Sequence, residues 1–317
     1  LEKYSGISVM DVAMNDPSVY AIFESTDSLG IPQMDREDRK TKMLGLSVGT
    51  LGLPEMGTNF IQGVLVDAKP KNFADLMQIS GLTHGTDVWL GNAQDLIKDG
   101  VCTISEVVGT RDGIMLDLIR YGVDKLLSFK IMEFVRKNKK GIRIPDEMQD
   151  AMHAVGVPQW YIDSLQKIKY MFPKAHAAAY VMSAIRLAWY KVHEPVAFYC
   201  AILTVAPDGF DGQIVARGRD YMLAEMQRIE NLGKDATQKD KATFSALQLA
   251  NEAIMRGIRF LPVSLKRSDA KEFLPEGGNI RMPLSSLPGL GVNAAITGET
   301  GMANGFTVGK VHVGGRS

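Results

Sequence analysis

The run from Pro173 to Val192 constrains this chain more than any other stretch. Proline at its head presets φ for a first helical turn, where a missing N–H costs nothing, and Pro195 marks the break after it. Between them lies an alanine-rich segment long enough for a helix of roughly 30 Å. His176 and Tyr180 are four residues apart and share one face, which Ser183, Leu187 and Lys191 continue. The N–H groups at the helix start form an anion site, and Lys174 adds a mobile positive charge beside them. The set suits a triphosphate at the helix start, with a base or sugar against the aromatic ring. Alanine-rich helices equally pack against other helices, and a His or Tyr on one is then a satisfied core polar group. Spacing alone leaves both readings open.

The rest of the chain reads as helix after helix. Asn15-Asp16-Pro17 is a helix start within a short helical opening over 1–30, with Asp16 as N-cap. Apolar spacing and helix breakers predict helices over 72–80, 103–109, 111–121, 124–138, 145–155 and 158–170. Two polar amphipathic helices follow, around 213–231 and 237–257. The Gly- and Leu-rich stretch 44–60 reads as a mobile loop. Ile258 to Val263 and Ile280 to Leu284 read as short strands, with Pro275-Glu276-Gly277-Gly278 turning between them. The last twenty residues are Gly-rich, with almost no apolar pattern and no expected packed structure. The fold class is therefore mostly α.

Charge narrows the function. Lys+Arg and Asp+Glu both number 36, so no global field draws nucleic acid to the chain. Contact with DNA must come from a local patch. One such patch runs from Leu118 to Arg143, with Arg120, Lys125, Lys130, Arg136, Lys137, Lys139, Lys140 and Arg143 against only Asp124 and Glu133. Another, 165–195, carries Lys167, Lys169, Lys174, Arg186 and Lys191 against Glu194. Two basic segments beside an anion-ready helix start fit a polyphosphate or nucleic-acid groove, although charge runs are also commonly solvated helix faces. Cys102 and Cys200, far apart, read as reduced thiols of a cytoplasmic protein. No apolar run reaches membrane-spanning length, and no signal peptide opens the chain. Its start at Leu1-Glu2-Lys3 reads as the middle of something longer.

Near the end, Gly289-Leu290-Gly291-Val292-Asn293-Ala294 matches G-x-G-x-x-A, but a polar helix precedes it and a Gly-rich tail follows, which excludes a dinucleotide fold. Leu287-Pro288-Gly289-Leu290-Gly291 between short helices instead resembles a helix-hairpin-helix, whose N–H groups meet a DNA phosphate. As a bare motif it is equally a plain turn. There is no Walker A sequence and no D-x-D pair, and two-metal nucleotidyl transfer needs closely spaced carboxylates. The residues alone point to phosphate binding without the apparatus for phosphate chemistry.

Three long stretches carry a family resemblance: Lys167-Ile168-Lys169-Tyr170-Met171-Phe172-Pro173-Lys174-Ala175-His176-Ala177-Ala178-Ala179-Tyr180-Val181, Ile79 through Ala93, and Gly52-Leu53-Pro54-Glu55-Met56-Gly57-Thr58. They resemble the alpha subunit of bacterial DNA polymerase III of the PolC type, and the likeness covers roughly residues 1–296 in order. The resemblance implies a helical fingers domain over 1–205, a helical connection over 206–257, a partial duplex-binding region with the helix-hairpin-helix over 258–297, and the irregular tail over 298–317. It implies triphosphate roles for Arg111, Arg120, Lys130 and Lys174, and a nucleotide pocket lined by His176 and Tyr180, with Thr83, His84 and Phe172 near the base. DNA contacts would fall to Lys137, Lys139 and Lys140, and to Pro288, Gly289 and Gly291. The family uses Mg2+ held by palm aspartates that this chain lacks, so no catalytic or metal-binding residue is expected here. Its partners would be template-primer DNA, deoxynucleoside triphosphates and, through the full-length enzyme, the sliding clamp and other replisome proteins. After Ile296 the chain departs from the family pattern, where a second hairpin helix with basic residues is expected, which suggests a truncation or a reading-frame artefact. The alternatives are a non-catalytic nucleic-acid-binding helical module and a helical scaffold whose basic face is only solvated.

Overall fold

The structure, a computed structural model, describes residues 1–138, 140–205 and 209–290, together with Asn293 and Ala295. The predicted long helix is its axis. It spans Lys174–His193 and buries Ala177, Val181, Ala184, Ala188 and Lys191 along one stripe. Small side chains there let neighbours approach closely. The helix packs on Phe73–His84, on Pro195–Val205 and on Pro17–Ala21. Asp16 caps the last of these, its carboxylate accepting from the Ser18 N–H at 2.9 Å.

Helices Arg111–Tyr121 and Lys125–Lys137 form a hairpin beside this axis. Asp146–Ala154 and Gln159–Lys167 follow it, and Arg219–Leu232 pairs with Gln238–Met255. The last helix opens with a capping box between Thr237 and Asp240. One hydrophobic core runs through these elements from Val12 to Met282. Among the described residues, no helix is long and apolar enough to cross a membrane. Cys102 and Cys200 are free and buried.

The small sheet has the order β1-β3-β2, with β1 at Phe260–Leu261, β2 at Leu274–Glu276 and β3 at Asn279–Arg281. β1 runs parallel to β3 with Phe260 beside Ile280, and β2 pairs antiparallel with β3. Strand β2 was not expected, because Pro275 reads as a turn residue. It lies at the sheet edge, where a missing N–H removes no ladder bond. The tight turn thus contracts to Gly277-Gly278, both at positive φ. Leu284, expected to end a strand, lies beyond β3 and begins a single 3-10 turn, Leu284–Ser286.

Four further expectations need correction. Residues 103–109 form a single turn rather than a helix. The Glu106 carboxylate folds back onto the Thr103 N–H at 2.7 Å, and the Val107 carbonyl accepts from Gln78. Pro195 does end the long helix, but a new helix, Pro195–Val205, begins on it. It is apolar on nearly every side and so shows no amphipathic period. Helices Arg39–Leu44 and Asn59–Ala68 were also unforeseen. The stretch 44–60 is not a surface loop over most of its length: Leu44, Leu46, Val48, Leu51, Leu53 and Met56 are all buried.

What holds that buried segment is Lys191. Its side chain is wholly buried, and its Nζ donates to the carbonyls of Gly49 at 2.8 Å and Leu51 at 2.6 Å. It also pairs with the buried carboxylate of Glu252 at 2.8 Å. Burial pushes the ammonium down to about 8, against the opposing pull of Glu252. The face shared by His176 and Tyr180 therefore does not continue to Lys191 as a solvent-facing cation.

Two outcomes follow for stability. Lys191→Met strands the Glu252 charge and two carbonyls, and should cost about 3–5 kcal/mol in denaturant unfolding. Adding Glu252→Gln should return part of that loss, because no buried charge then lacks its partner. Gly81→Ala should cost about 2 kcal/mol or more. Its new Cβ would fall on the backbone carbonyl of Gly109, where the Phe73–His84 helix meets the chain entering Arg111–Tyr121.

Candidate nucleotide-binding site

The segment Lys169–Phe172 is strapped between two neighbours. Thr86 N donates to the Tyr170 carbonyl at 2.9 Å and Lys169 N to the Thr86 carbonyl at 3.1 Å, while Arg111 N donates to the Phe172 carbonyl at 3.0 Å. These bonds set the Phe172 ring against His84, centroid to centroid at 4.8 Å and inclined by 27°. Tyr180 lies nearly parallel to His84 at 6.0 Å, and His176 meets Phe172 edge-on at 6.0 Å. The Thr83 hydroxyl donates to the Ile79 carbonyl at 2.9 Å and lies 3.3 Å from His84 Nδ1. Thr83, His84, Phe172, His176 and Tyr180, named from sequence as one pocket, thus form one cluster. Tyr180 and His176 are its exposed members.

His84 is held from both sides. Its Nδ1 lies 2.7 Å from the Ser80 carbonyl oxygen, and its Nε2 lies 2.8 Å from Glu55 Oε2.

One turn back along the long helix, the anion site is partly taken. Asp112 reaches across from the neighbouring helix, and its Oδ2 accepts the Lys174 N–H at 2.8 Å. The N–H groups of Ala175 and His176 have no hydrogen-bond partner among the described residues. Lys174 and Arg120 line one cavity of about 220 Å³, together with Asp75, Gln78, Ser105 and Asp117. Asp117 bonds Arg120 Nη1 at 3.1 Å and accepts from the Tyr161 hydroxyl at 3.2 Å. Burial raises its carboxyl above the usual range, and Arg120, Tyr161 and Lys174 oppose that rise. A larger cavity of about 970 Å³ shares Asn72 with this one, and is lined by Tyr20, Arg36, Lys69, Lys71 and Met182 among others.

The remaining cations are placed elsewhere. Arg111 starts its helix with Nη2 3.9 Å from Asp112. Lys130 is exposed and lines a different cavity, shared with Lys137. Of the basic patch, Arg136 and Lys137 pair with Glu133, and Arg143 pairs with Asp146. Lys125, Lys130 and Lys140 are exposed and have no ion pair among the described residues. Lys139 and Gly291 lie outside the described residues. Pro288 and Gly289 are exposed in the turn after Leu284–Ser286, with Gly289 at φ +81°. Among the described residues, no three His, Cys, Asp or Glu side chains converge to hold a metal ion.

Sequence reasoning gave no role to Asp112, Asp117 or Glu55. The bonds of Asp112 to Lys174, Asp117 to Tyr161 and Glu55 to His84 come from other elements, so no local spacing reveals them; only the Asp117–Arg120 pair lies at i,i+3. Arg36, Lys69 and Lys71 were missed for the same reason.

A ring cluster thus stands beside a cationic helix start in a mostly helical chain. Residues 2–156 match the bacterial DNA polymerase III alpha subunit finger domain. The chain is 47% identical over 296 residues to DNA polymerase III PolC-type of Bacillus subtilis, and 46% identical over 295 residues to that of Pediococcus pentosaceus. Each alignment covers 93% of this chain and 20% of the relative. With the Bacillus cereus protein it is 45% identical over 317 residues, 100% of this chain and 21% of the relative, so that alignment runs on through the Gly-rich tail. The chain belongs to the PolC-type DNA polymerase III family, and spans about a fifth of the length of the curated relatives it matches.

The site makes one pH-dependent prediction. The folded carboxyl of Asp117 titrates above its unfolded value of 3.8, so the folded state holds the proton more tightly. Its contribution is complete below pH 3.8 and is lost as pH rises through the raised value. Asp117→Asn removes that loss. The unfolding free energy of the variant minus that of the parent should therefore grow as pH rises from about 3.5 through that window.

Proposed function

We propose that this chain is the part of a replicative, PolC-type DNA polymerase that binds the incoming deoxynucleoside triphosphate and steers template-primer DNA. The observation that carries the proposal is the stack of His84, Phe172 and Tyr180 within two turns of a helix start that keeps two unpartnered N–H groups beside Lys174. In this reading the base or sugar packs on Tyr180 and His176, with Phe172, His84 and Thr83 behind. Lys174, Arg120 and the N–H groups of Ala175 and His176 take the phosphates.

Asp117 keeps Arg120 positioned until the more highly charged phosphates draw it away, while Asp112 occupies the Lys174 backbone N–H beside them. Arg111 and Lys130 would meet the triphosphate only from outside the cavity that Arg120 and Lys174 share. Lys137, Lys139 and Lys140 would track the DNA backbone, and Pro288, Gly289 and Gly291 would present backbone to a duplex phosphate. Mg2+, held by carboxylates elsewhere in the full-length enzyme, would neutralise charge during transfer of the nucleotide. The full-length protein would work in the cytoplasm, with the sliding clamp and other replisome proteins as partners.

The test is nucleotide and DNA binding by the chain across a salt series. Lys174→Ala and Arg120→Ala should each weaken triphosphate binding about tenfold, as loss of one charge-assisted bond implies. A DNA-contacting Lys140→Ala should flatten the dependence of log K on log salt by about 0.7–0.9. Binding by a folded chain that none of these variants weakens would reject the assignment. A folded chain with no affinity for either ligand would reject it as well.

A further inference from the structure

Glu55 sits in a conformation that a non-glycine residue rarely adopts, at φ +62°. Its side chain is exposed, yet Oε2 is committed to His84 Nε2 at 2.8 Å. Backbone strain of this kind persists only where the surroundings impose it. Here they do. Leu53 N donates to the Thr50 carbonyl at 3.0 Å, Met56 N to the Leu53 carbonyl at 3.2 Å, and the buried Thr50 hydroxyl to the Met56 carbonyl at 2.6 Å. Behind this turn, Lys191 fixes the carbonyls of Gly49 and Leu51 from the protein interior.

Lys191 and Tyr180 lie on one helix, three turns apart. The helix therefore does two things at once. One end presents Tyr180 parallel to the His84 ring, and the other anchors the segment whose Glu55 grips the far edge of that ring. Nδ1 faces the Ser80 carbonyl oxygen and Nε2 the Glu55 carboxylate, so the imidazolium form donates to both and cannot turn about its side-chain bonds without breaking one contact. Phe172 then stacks on a ring of fixed orientation.

We infer that Glu55 is a positioning residue of the nucleotide pocket: it locks the His84 imidazole into the stack with Phe172 and Tyr180 against which a nucleotide base packs. The inference rests on the nucleotide reading above. The Glu55–His84 bond does not itself touch the ligand, and its effect passes through the orientation of the rings.

Glycine separates this role from a structural one, because glycine adopts φ +62° freely. Glu55→Gly should keep or raise the melting temperature of the chain while losing the grip on His84. In the full chain, ring-proton NMR signals of His84, assigned with a His84→Gln variant, should be shifted upfield by the stacked rings. In Glu55→Gly they should move toward unstacked values, and affinity for a deoxynucleoside triphosphate such as dATP should fall about tenfold. Glu55→Gln, which keeps an oxygen for Nε2, should retain most of both.

The inference is overturned if the His84 signals are the same in Glu55→Gly, or if they and the affinity change only together with a drop in melting temperature. If Lys174→Ala weakens dATP binding while Glu55→Gly does not, the nucleotide reading stands and the inference fails. If the His84 signals respond but neither variant alters dATP affinity, it is the nucleotide reading that fails, and with it the use assigned to Glu55.

Discussion

The ammonium of Lys191, removed from water, joins three stretches of chain that lie far apart in sequence. It takes the carbonyls of Gly49 and Leu51 and the carboxylate of Glu252, which also accepts from the Tyr199 hydroxyl at 2.6 Å. Arg256 closes the group by donating to the Lys191 carbonyl at 2.6 Å. A charge in such a place is tolerated because three oxygen atoms at fixed positions take its three N–H donors. The buried segment from Leu44 to Met56 has little regular structure beyond its first residue, and the carbonyls of Gly49 and Leu51 would otherwise be buried without these donors. Lys191 supplies those donors, and so allows an irregular segment to run through the interior between the long helix and Gln238–Met255.

The site is built on the same helix. Its small buried stripe lets Phe73–His84 lie close, and that helix carries Thr83 and His84 at its C-terminal end. Gly81 in turn lets the strand-like entry to Arg111–Tyr121 press against the helix. This brings Asp112 to the start of the long helix and Arg120 to the cavity that Lys174 lines. Arg120 is held there by Asp117, and Asp112 takes the backbone N–H of Lys174.

Much of this was legible in the sequence. The long helix was fixed by its flanking prolines, and Asp16-Pro17 by N-cap chemistry, since both signals act within a few residues. The ring cluster was legible only through family resemblance. Nothing in the spacing of Thr83 and His84 relates them to Phe172, nearly ninety residues on. Helix Pro195–Val205 escaped because a helix apolar on all sides has no period to detect. Residues 103–109 misled because their local pattern is helical, while Gln78 and the passage past Gly81 demand a single turn.

By itself the sequence determined a mostly helical chain, the position and length of its axis, and, by resemblance, the family. Those properties depend on bonds between near neighbours, which residue types at short spacing encode. Tertiary structure alone decided which lysines are free. Lys174 lines a cavity, Lys130 lies apart from it, and Lys191, on the same helix as Lys174, is sealed in the core. A lysine's role depends on whether water or fixed protein oxygens solvate it, and only the packing of distant segments settles that.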